Sequence, residues 1–204
     1  MRESELGRVL LQFSEDNESE SALIQRVLSD PDAFRTMFRR MHPRVFAYVA
    51  HRVGRADDAE DITADVFLRV MNGLDRFEYR GDGAFTAWLF QIAYREVARY
   101  FSRRKANVDI PLDDLPEIRA DSPTPEQTFD LKEHFAAVRA AVAQLPRRRQ
   151  EVVALKFYGG LRNREIAEVL GLDERTVASN LSRALDQLEK SVSAERSLLK
   201  EEAL

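Results

Sequence analysis

Residues near the start of one segment have side-chain types that are able to bind DNA bases. In residues 164–185, REIAEVLGLDERTVASNLSRAL, Gly171 separates two amphipathic stretches and Asp173 is a good N-cap for the second. Two helices joined by a tight glycine turn form a helix-turn-helix, whose second helix enters the DNA major groove. Its outward positions hold residue types that bind bases or phosphates: Arg175, Thr176, Ser179, Asn180 and Arg183. Helical hairpins that bind nothing share this pattern, so both interpretations stay open.

A second candidate site combines aromatic rings with aligned arginines. A glycine-containing loop at 78–83 precedes a segment with Phe85, Trp88 and Phe101. Its polar face carries three arginines at four-residue spacing: Arg95, Arg99 and Arg103. Rings that stack bases and cations that bind the backbone are what single-stranded nucleic acid requires. The three cations also repel one another, and a bound polyanion would relieve that repulsion. The aromatic spacing is equally typical of core residues.

A third candidate is an acidic stripe on the helix that begins near Asp57. At 100° per residue one stripe contains Asp58, Asp61, Asp65 and Arg69. Such a face could dock onto a basic helix of a partner, or it could simply be solvated.

The sequence contains no motif for catalysis, and we predict no enzyme, metal or cofactor. P-loop, HExxH and nucleophile-elbow patterns are missing, and there are no cysteines. His42 and His51 lie nine residues apart on one helix and so point in opposite directions, while His134 is remote in sequence. No apolar run approaches the ~20 residues of a membrane span, and the N-terminus lacks a signal-peptide core. These features predict a cytoplasmic protein without membrane insertion.

Helical periodicity dominates the rest of the chain and predicts an all-α fold. We expect helices over 22–28, 33–53 (capped by Asp30 or Asp32), from about 57, and over 84–104, 131–144 and 147–158. Four of the seven prolines fall within 107–128, which predicts an open linker between two small helical domains. The predicted divisions are an extension at 1–20, a helical bundle at 21–105, an acidic linker at 106–130, a helix-turn-helix domain at 131–190 and a tail at 191–204.

Charge is segregated along these divisions, although the whole chain carries only −4. Residues 34–105 have a net charge of +5 and residues 131–190 of +3, whereas the linker has −6. Two basic modules that each face a polyanion fit this distribution. It also suggests that the linker holds both modules together over their DNA faces in the free protein.

Four segments in order resemble the sigma-70 superfamily, specifically its two-domain extracytoplasmic-function sigma factors. They are DPDAFRTMFRRMHPRVFAYV, DDAEDITADVFLRV, FTAWLFQIAYREVARYFSRRK and LPRRRQEVVALKFYGGLRNREIAEVLGLDERTVASNLSRALDQL. The resemblance implies a transcription initiation factor that binds core RNA polymerase, recognises −35 and −10 promoter elements and assists melting. Implied partners are the clamp helices of the largest polymerase subunit, the flap of the second-largest, promoter DNA and an anti-sigma factor.

The resemblance also assigns residues by position. The polymerase-binding set is Asp58, Asp61, Asp65 and Phe67. The −10 set is Phe77, Glu78, Tyr79, Arg80, Asp82, Trp88, Arg95, Arg99, Arg103 and Arg104, where the loop captures a flipped base and Trp88 helps to wedge the duplex. The −35 set is Arg162, Arg164, Arg175, Thr176, Ser179, Asn180 and Arg183.

Several positions depart from the family pattern. Arg95 and Arg99 stand where relatives have Asn and often Asp, which suggests stronger phosphate contact. Ala178 and Asn180 replace frequent basic residues, so the −35 affinity and its salt dependence should be lower. Arg162 replaces the usual Ser or Thr cap, so either Asn163 caps one residue late or Arg162 points at a phosphate.

Two alternatives to a sigma factor remain from the sequence. A conventional helix-turn-helix regulator accounts for the C-terminal module but leaves the acidic helix and the aromatic loop unexplained. A sigma-like scaffold would bind polymerase without reading promoters. A conventional regulator would bind DNA without polymerase, whereas a sigma factor depends on it. A scaffold would bind polymerase without supporting specific initiation of transcription.

Overall fold

The chain is helical throughout the part that the structure describes. This computed structural model describes residues 20–27, 30–106 and 140–202. The helices are α1 (Glu20–Val27), α2 (Pro31–Val53), α3 (Ala56–Gly73), α4 (Ala84–Ala106), α5 (Arg147–Val153), α6 (Asn163–Leu170) and α7 (Glu174–Glu202), with a 3₁₀ turn at Leu74–Arg76. The all-α prediction is confirmed. Three predicted segments lie outside the described residues. They are the linker after residue 106, most of the helix predicted over 131–144, and the N-terminal extension up to residue 19.

Local signals set the ends of α2. The Asp30 side chain accepts a hydrogen bond from the Asp32 backbone N–H at 2.9 Å, so of the two predicted caps Asp30 is the one used. Pro31 follows at the first turn, where its missing N–H costs nothing. At the other end Gly54 adopts a left-handed φ of 77° and donates to the Ala50 carbonyl at 2.9 Å.

The predicted helix over 147–158 is not a single α-helix. After α5 the chain continues as a π-helical turn, Ala154–Tyr158, in which the Gly159 N–H donates to the Ala154 carbonyl at 3.1 Å. That bond spans five residues and widens the turn. Helical periodicity in the sequence does not distinguish this π-helical turn from a continued α-helix. Both conformations bury the same apolar residues of the first turn.

The N-terminal module is a bundle of α1–α4 around a continuous apolar core. The largest fully buried side chains are Met37, Tyr48, Phe85, Leu89 and Phe90. In the C-terminal module α5, α6 and α7 pack together, with Leu155, Leu161 and Ile166 buried. Both modules contribute to one core cluster, because α4 packs against α6 and α2 packs against the π turn.

Polar groups of the two modules meet at two points, one buried and one partly buried. Tyr48 Oη donates to Glu151 Oε1 at 2.5 Å, and Arg52 Nη2 lies 3.0 Å from Glu151 Oε2. Burial, together with the Glu151 carboxylate, holds the pKa of Tyr48 well above its usual value. Arg44 donates from Nε to the Gly159 carbonyl at 2.9 Å and from Nη2 to the Gly160 carbonyl at 3.1 Å. No local sequence signal marks these residues, because their partners lie more than a hundred positions away.

Candidate promoter and polymerase interfaces

The helix-turn-helix has the predicted turn and cap. Gly171 ends α6 with a left-handed φ of 63°. The Asp173 carboxylate then accepts from the Thr176 backbone N–H at 2.8 Å and from its hydroxyl at 2.7 Å. These hydrogen bonds lower the pKa of Asp173. The start of α7 is therefore held by a charged cap next to the residues predicted to contact bases.

We expect Asp173→Asn to lower the melting temperature of the protein by a few degrees at neutral pH, because asparagine can still cap the helix but lacks the negative charge that its N-terminus favours. Because the native pKa lies below the ordinary 3.8, the carboxylate stabilises the fold above about pH 4 and this stability is lost as pH falls through the native value. The difference between wild type and variant should therefore vanish near pH 3. Thermal unfolding across pH 3–7 measures it. Glu174→Gln, which removes the next carboxylate along, is the control and should show no such convergence.

The five predicted base-reading residues of α7 are not equally available. Arg175, Ser179 and Arg183 are exposed and form one stripe at four-residue spacing. Thr176 and Asn180 are half-buried. The Thr176 hydroxyl donates to the cap, and Asn180 Nδ2 donates to the Thr176 carbonyl at 2.8 Å. In this arrangement both polar groups are already used within the helix, so the accessible stripe has three residues.

Arg162, at the N-terminus of α6, has carboxylate partners in both modules. Its backbone N–H donates to Glu165 Oε2 at 2.7 Å, and its guanidinium bonds Glu165 Oε1 at 2.8 Å and Asp82 Oδ2 at 2.7 Å. The hydrogen bonds that its guanidinium donates to the Asp82 and Glu165 carboxylates raise the pKa of Arg162 further. The alternative in which Asn163 caps the helix is wrong, because Asn163 Oδ1 is buried and accepts no hydrogen bond from a described residue. Arg164 is exposed and lies 3.5 Å from Glu168.

An aromatic cluster supports the predicted −10 loop. Phe77, Phe85 and Trp88 have ring centroids 4.9–5.8 Å apart. Phe85 is buried, whereas Phe77 and Trp88 are half-buried and present ring surface to solvent. Phe101, which shared the sequence pattern, is 38% exposed and contacts Tyr100 edge to face. The cluster thus contains both core rings and rings that a base could reach.

The polar residues of the loop are mostly exposed. Glu78 and Arg80 are exposed and pair with each other at 3.0 Å, while Tyr79 is half-buried against the core. Asp82 is exposed and pairs with Arg162. The loop therefore has one exposed ion pair, Glu78 with Arg80, while the Asp82 carboxylate pairs with Arg162 of the other module.

Glu20, which no sequence motif indicates, binds the end of this loop. Its carboxylate accepts from the backbone N–H groups of Gly83 and Phe85 at 3.0 and 3.3 Å and from Thr86 Oγ1 at 2.6 Å. These donors belong to the first turn of α4, where an anion is favoured. A residue more than sixty positions away cannot be paired with this turn from periodicity alone.

The positive charge of one arginine of α4, Arg99, is offset by a buried carboxylate, Glu96. Glu96 Oε1 lies 2.7 Å from both Arg69 Nε and Arg99 Nη1. The expected repulsion along the arginine row is therefore offset, and the charge of Arg99 is partly used inside the protein. Glu96 could have been found, because it falls on the same buried stripe as Ala93 and Val97.

The remaining arginines of the predicted −10 set lie outside this cluster. Arg95 and Arg103 are exposed. Arg104 is also exposed and donates to the Tyr100 hydroxyl. Three of the four arginines, Arg95, Arg103 and Arg104, therefore form no ion pair with a described residue.

The predicted acidic stripe of α3 divides into exposed and internally bonded parts. Asp61 and Asp65 are exposed, and neither forms an ion pair with a described residue. Asp58 is half-buried and accepts from Tyr100 Oη at 2.7 Å. Phe67 is 4% exposed and packs on Phe38 with a centroid distance of 4.7 Å, so its position makes it a core residue rather than a surface contact. The periodicity of apolar residues on a helix does not distinguish a residue that contacts a partner protein from a neighbouring residue of the core.

Two further findings concern the described part of the chain as a whole. Its residues include no group of three or more His, Asp or Glu side chains placed to hold a metal ion. Within the same ranges, every helix is too short or too polar to cross a membrane.

The comparisons with known proteins agree with this geometry. Residues 37–107 match the family model of sigma-70 region 2, and residues 135–188 match that of sigma-70 region 4. The chain is 30% identical to the ECF RNA polymerase sigma factor ShbA of Streptomyces griseus, over 82% of this chain and 92% of that one. It is also 30% identical to the ECF sigma factor BldN of Streptomyces coelicolor, over 81% of this chain but 63% of the relative's length.

Solved structures show the same fold. RpoE of Bartonella quintana, in complex with the anti-sigma factor NepR, superposes with a TM-score of 0.61 at 23% identity and covers 78% of this chain and 96% of that one. CnrH, in complex with the cytosolic domain of CnrY, gives a TM-score of 0.58 at 24% identity, covering 84% and 95%. The chain belongs to the sigma-70 family. It is a promoter-recognising RNA polymerase sigma factor of the ECF group.

Proposed function

We propose that the exposed face of α3 docks this sigma factor on core RNA polymerase. The observation that carries the proposal is the pairing of two uncompensated carboxylates with exposed apolar side chains. Asp61 and Asp65 lie beside Leu68 and Met71, which are 56% and 54% exposed. Such a surface fits a basic amphipathic helix, because it offers both charge complementarity and apolar contact. This is the chemistry implied for the clamp helices of the largest polymerase subunit.

The DNA-binding roles that we propose follow the exposed residues. Arg175, Ser179 and Arg183 read the −35 element in the major groove. The half-buried rings of Phe77 and Trp88 receive and separate bases at the −10 element, and Arg95 and Arg103 hold its backbone. In this proposal the protein supplies placement and strand separation and no covalent step.

These proposed roles also give the domain divisions. Residues 21–105 form the module that binds polymerase and the −10 element, and residues 131–190 form the −35 module. The site of action is the cytoplasm, where polymerase and chromosome meet. The structural relatives CnrH and RpoE are each in a complex with a protein partner. We propose that an anti-sigma factor also binds this chain and competes with polymerase for it.

The test is run-off transcription with purified core polymerase over a promoter library. Wild type should initiate specifically, and Asp61→Arg should weaken polymerase binding by about tenfold or more, because it places like charges against each other. Glu60→Arg makes the same charge change about 100° around the helix and should have a smaller effect. Tight polymerase binding without initiation would favour a scaffold, and DNA binding without any polymerase dependence would favour a conventional regulator.

A further inference from the structure

The first turn of α4 has no acidic or capping side chain of its own. Gly83 stands immediately before the helix, and its left-handed φ of 84° suits glycine, which has no side chain to bind the free N–H groups. Residues 84–87 contain no carboxylate. Helices usually begin after Ser, Thr, Asp or Asn, whose side chain accepts from these N–H groups. The start of α4 therefore needs an acceptor from elsewhere in the chain.

Glu20 of α1 supplies that acceptor. Its carboxylate accepts from the backbone N–H groups of Gly83 and Phe85 and from the Thr86 hydroxyl. Glu20 is half-buried and Thr86 is 4% exposed, so water competes little for these hydrogen bonds. The negative charge also interacts favourably with the dipole of α4. A carboxylate on one helix thus caps the N-terminus of another.

The packing of α1 fixes the position of Glu20. Leu23 and Ile24, one turn further along the helix, are buried in the core. Arg26 pairs at 2.6 Å with Asp30, the residue that caps α2. The carboxylate is therefore held by a packed helix, and side chains on such elements are placed more precisely than side chains on loops.

The capped turn carries the rings of the predicted −10 loop. The rings of Phe85 and Trp88 on α4 contact Phe77 at centroid distances of 5.6 and 4.9 Å. The loop enters α4 through a tight turn in which the Ala84 N–H donates to the Gly81 carbonyl at 3.1 Å. Fraying of the first turn of α4 would therefore displace both the rings and the turn.

We propose that Glu20 is a positioning residue for promoter recognition, which sets the shape of the −10 loop by capping α4. The inference rests on the proposed function, because that function assigns the loop and its rings to the −10 element. Glu20 acts through the backbone that it binds and not by touching DNA. A flipped base is selected by the shape of the pocket that receives it. Loss of the cap therefore weakens discrimination between bases at the −10 element.

Run-off transcription over the promoter library measures base preference at each position. In holoenzyme that contains Glu20→Ala, the transcript ratio between the preferred base and the others should fall by about fivefold at a −10 position, since a lost cap shifts a local equilibrium by roughly that factor. The −35 preference and the affinity for core polymerase should not change, because they depend on α7 and on the exposed face of α3. A merely structural role would lower all transcripts together.

Three further variants separate capping from general stability. Glu20→Gln should restore most of the discrimination, because its amide oxygen still accepts from both N–H groups and its amide nitrogen can donate to the Thr86 hydroxyl. Thr86→Val removes one of the three donors and should give a smaller loss of the same kind, which decides the question if Glu20→Ala does not fold. Glu60→Gln removes an exposed carboxylate from α3 and is the matched control, whose base preference should equal that of wild type.

The proposal is overturned if Glu20→Ala and Thr86→Val keep the wild-type base preference, or if their transcripts fall equally at every promoter. A loss of discrimination that Glu20→Gln does not restore would also contradict it. Failure of wild type to initiate specifically would instead refute the proposed function and with it this inference.

Discussion

Replacing Phe90 with alanine is expected to lower the free energy of unfolding by about 3–5 kcal/mol. Phe90 is fully buried on α4 and packs edge to face on Tyr48 at a centroid distance of 5.8 Å. The Arg44 guanidinium lies 5.8 Å from the ring centroid, and a Cβ on Gly159 would be 2.8 Å from Cε1. The cavity would therefore open between the two modules as well as inside the first.

Two probes separate these effects during urea unfolding. The single tryptophan, Trp88, lies in the N-terminal module, so its fluorescence reports that module, while circular dichroism reports all helices. The two curves should coincide for wild type because one core spans both modules, and they should separate in Phe90→Ala. Phe101→Ala on the same helix is the control and should change stability by less than about 1 kcal/mol. A similar small loss for Phe90→Ala would contradict the shared core.

Replacing Arg44 with alanine is expected to lower the free energy of unfolding by about 2 kcal/mol. The side chain donates two hydrogen bonds across the interface, to the carbonyls of Gly159 and Gly160. Hydrogen bonds to charged groups contribute about 1.5–3 kcal/mol, and 2 kcal/mol corresponds to roughly thirtyfold in an equilibrium constant. Both carbonyls lie at the end of the π turn, where α2 meets the C-terminal module.

Urea unfolding followed by circular dichroism measures this loss. Arg44→Lys should recover only part of it, because lysine keeps the charge but not the forked geometry. Arg39→Ala removes an exposed arginine from the same helix and should change the free energy of unfolding by less than about 0.5 kcal/mol. An equally small change in Arg44→Ala would mean that the apolar contacts alone hold the modules together.

Features decided by neighbouring residues could be predicted from the sequence. Asp30 and Asp173 cap their helices, and Gly171 ends α6, because each of these geometries needs only residues within about four positions. The same holds for the exposed stripe of α7, which follows from helical periodicity. The resemblance to known sigma factors rested on four such local segments in order.

Contacts between distant residues could not be predicted in this way. Tyr48 and Glu151 are 103 residues apart, and Arg44 and Gly160 are 116 apart. The segregated charge suggested closure through the acidic linker, whereas the described contacts join the two modules directly. Phe67, which the family resemblance places among the polymerase-binding residues, lies in the core because it packs on Phe38 of another helix.

The sequence by itself therefore determined the helices, their caps and the family, since all three depend on residue types at short spacing. Only the tertiary structure decided which charges are buried, which predicted contacts are already occupied, and that the two modules contact each other directly. The physical reason is that burial and pairing depend on where separate helices pack, and a charge such as Glu151 has the same local sequence signal whether it meets water or an arginine of the other module.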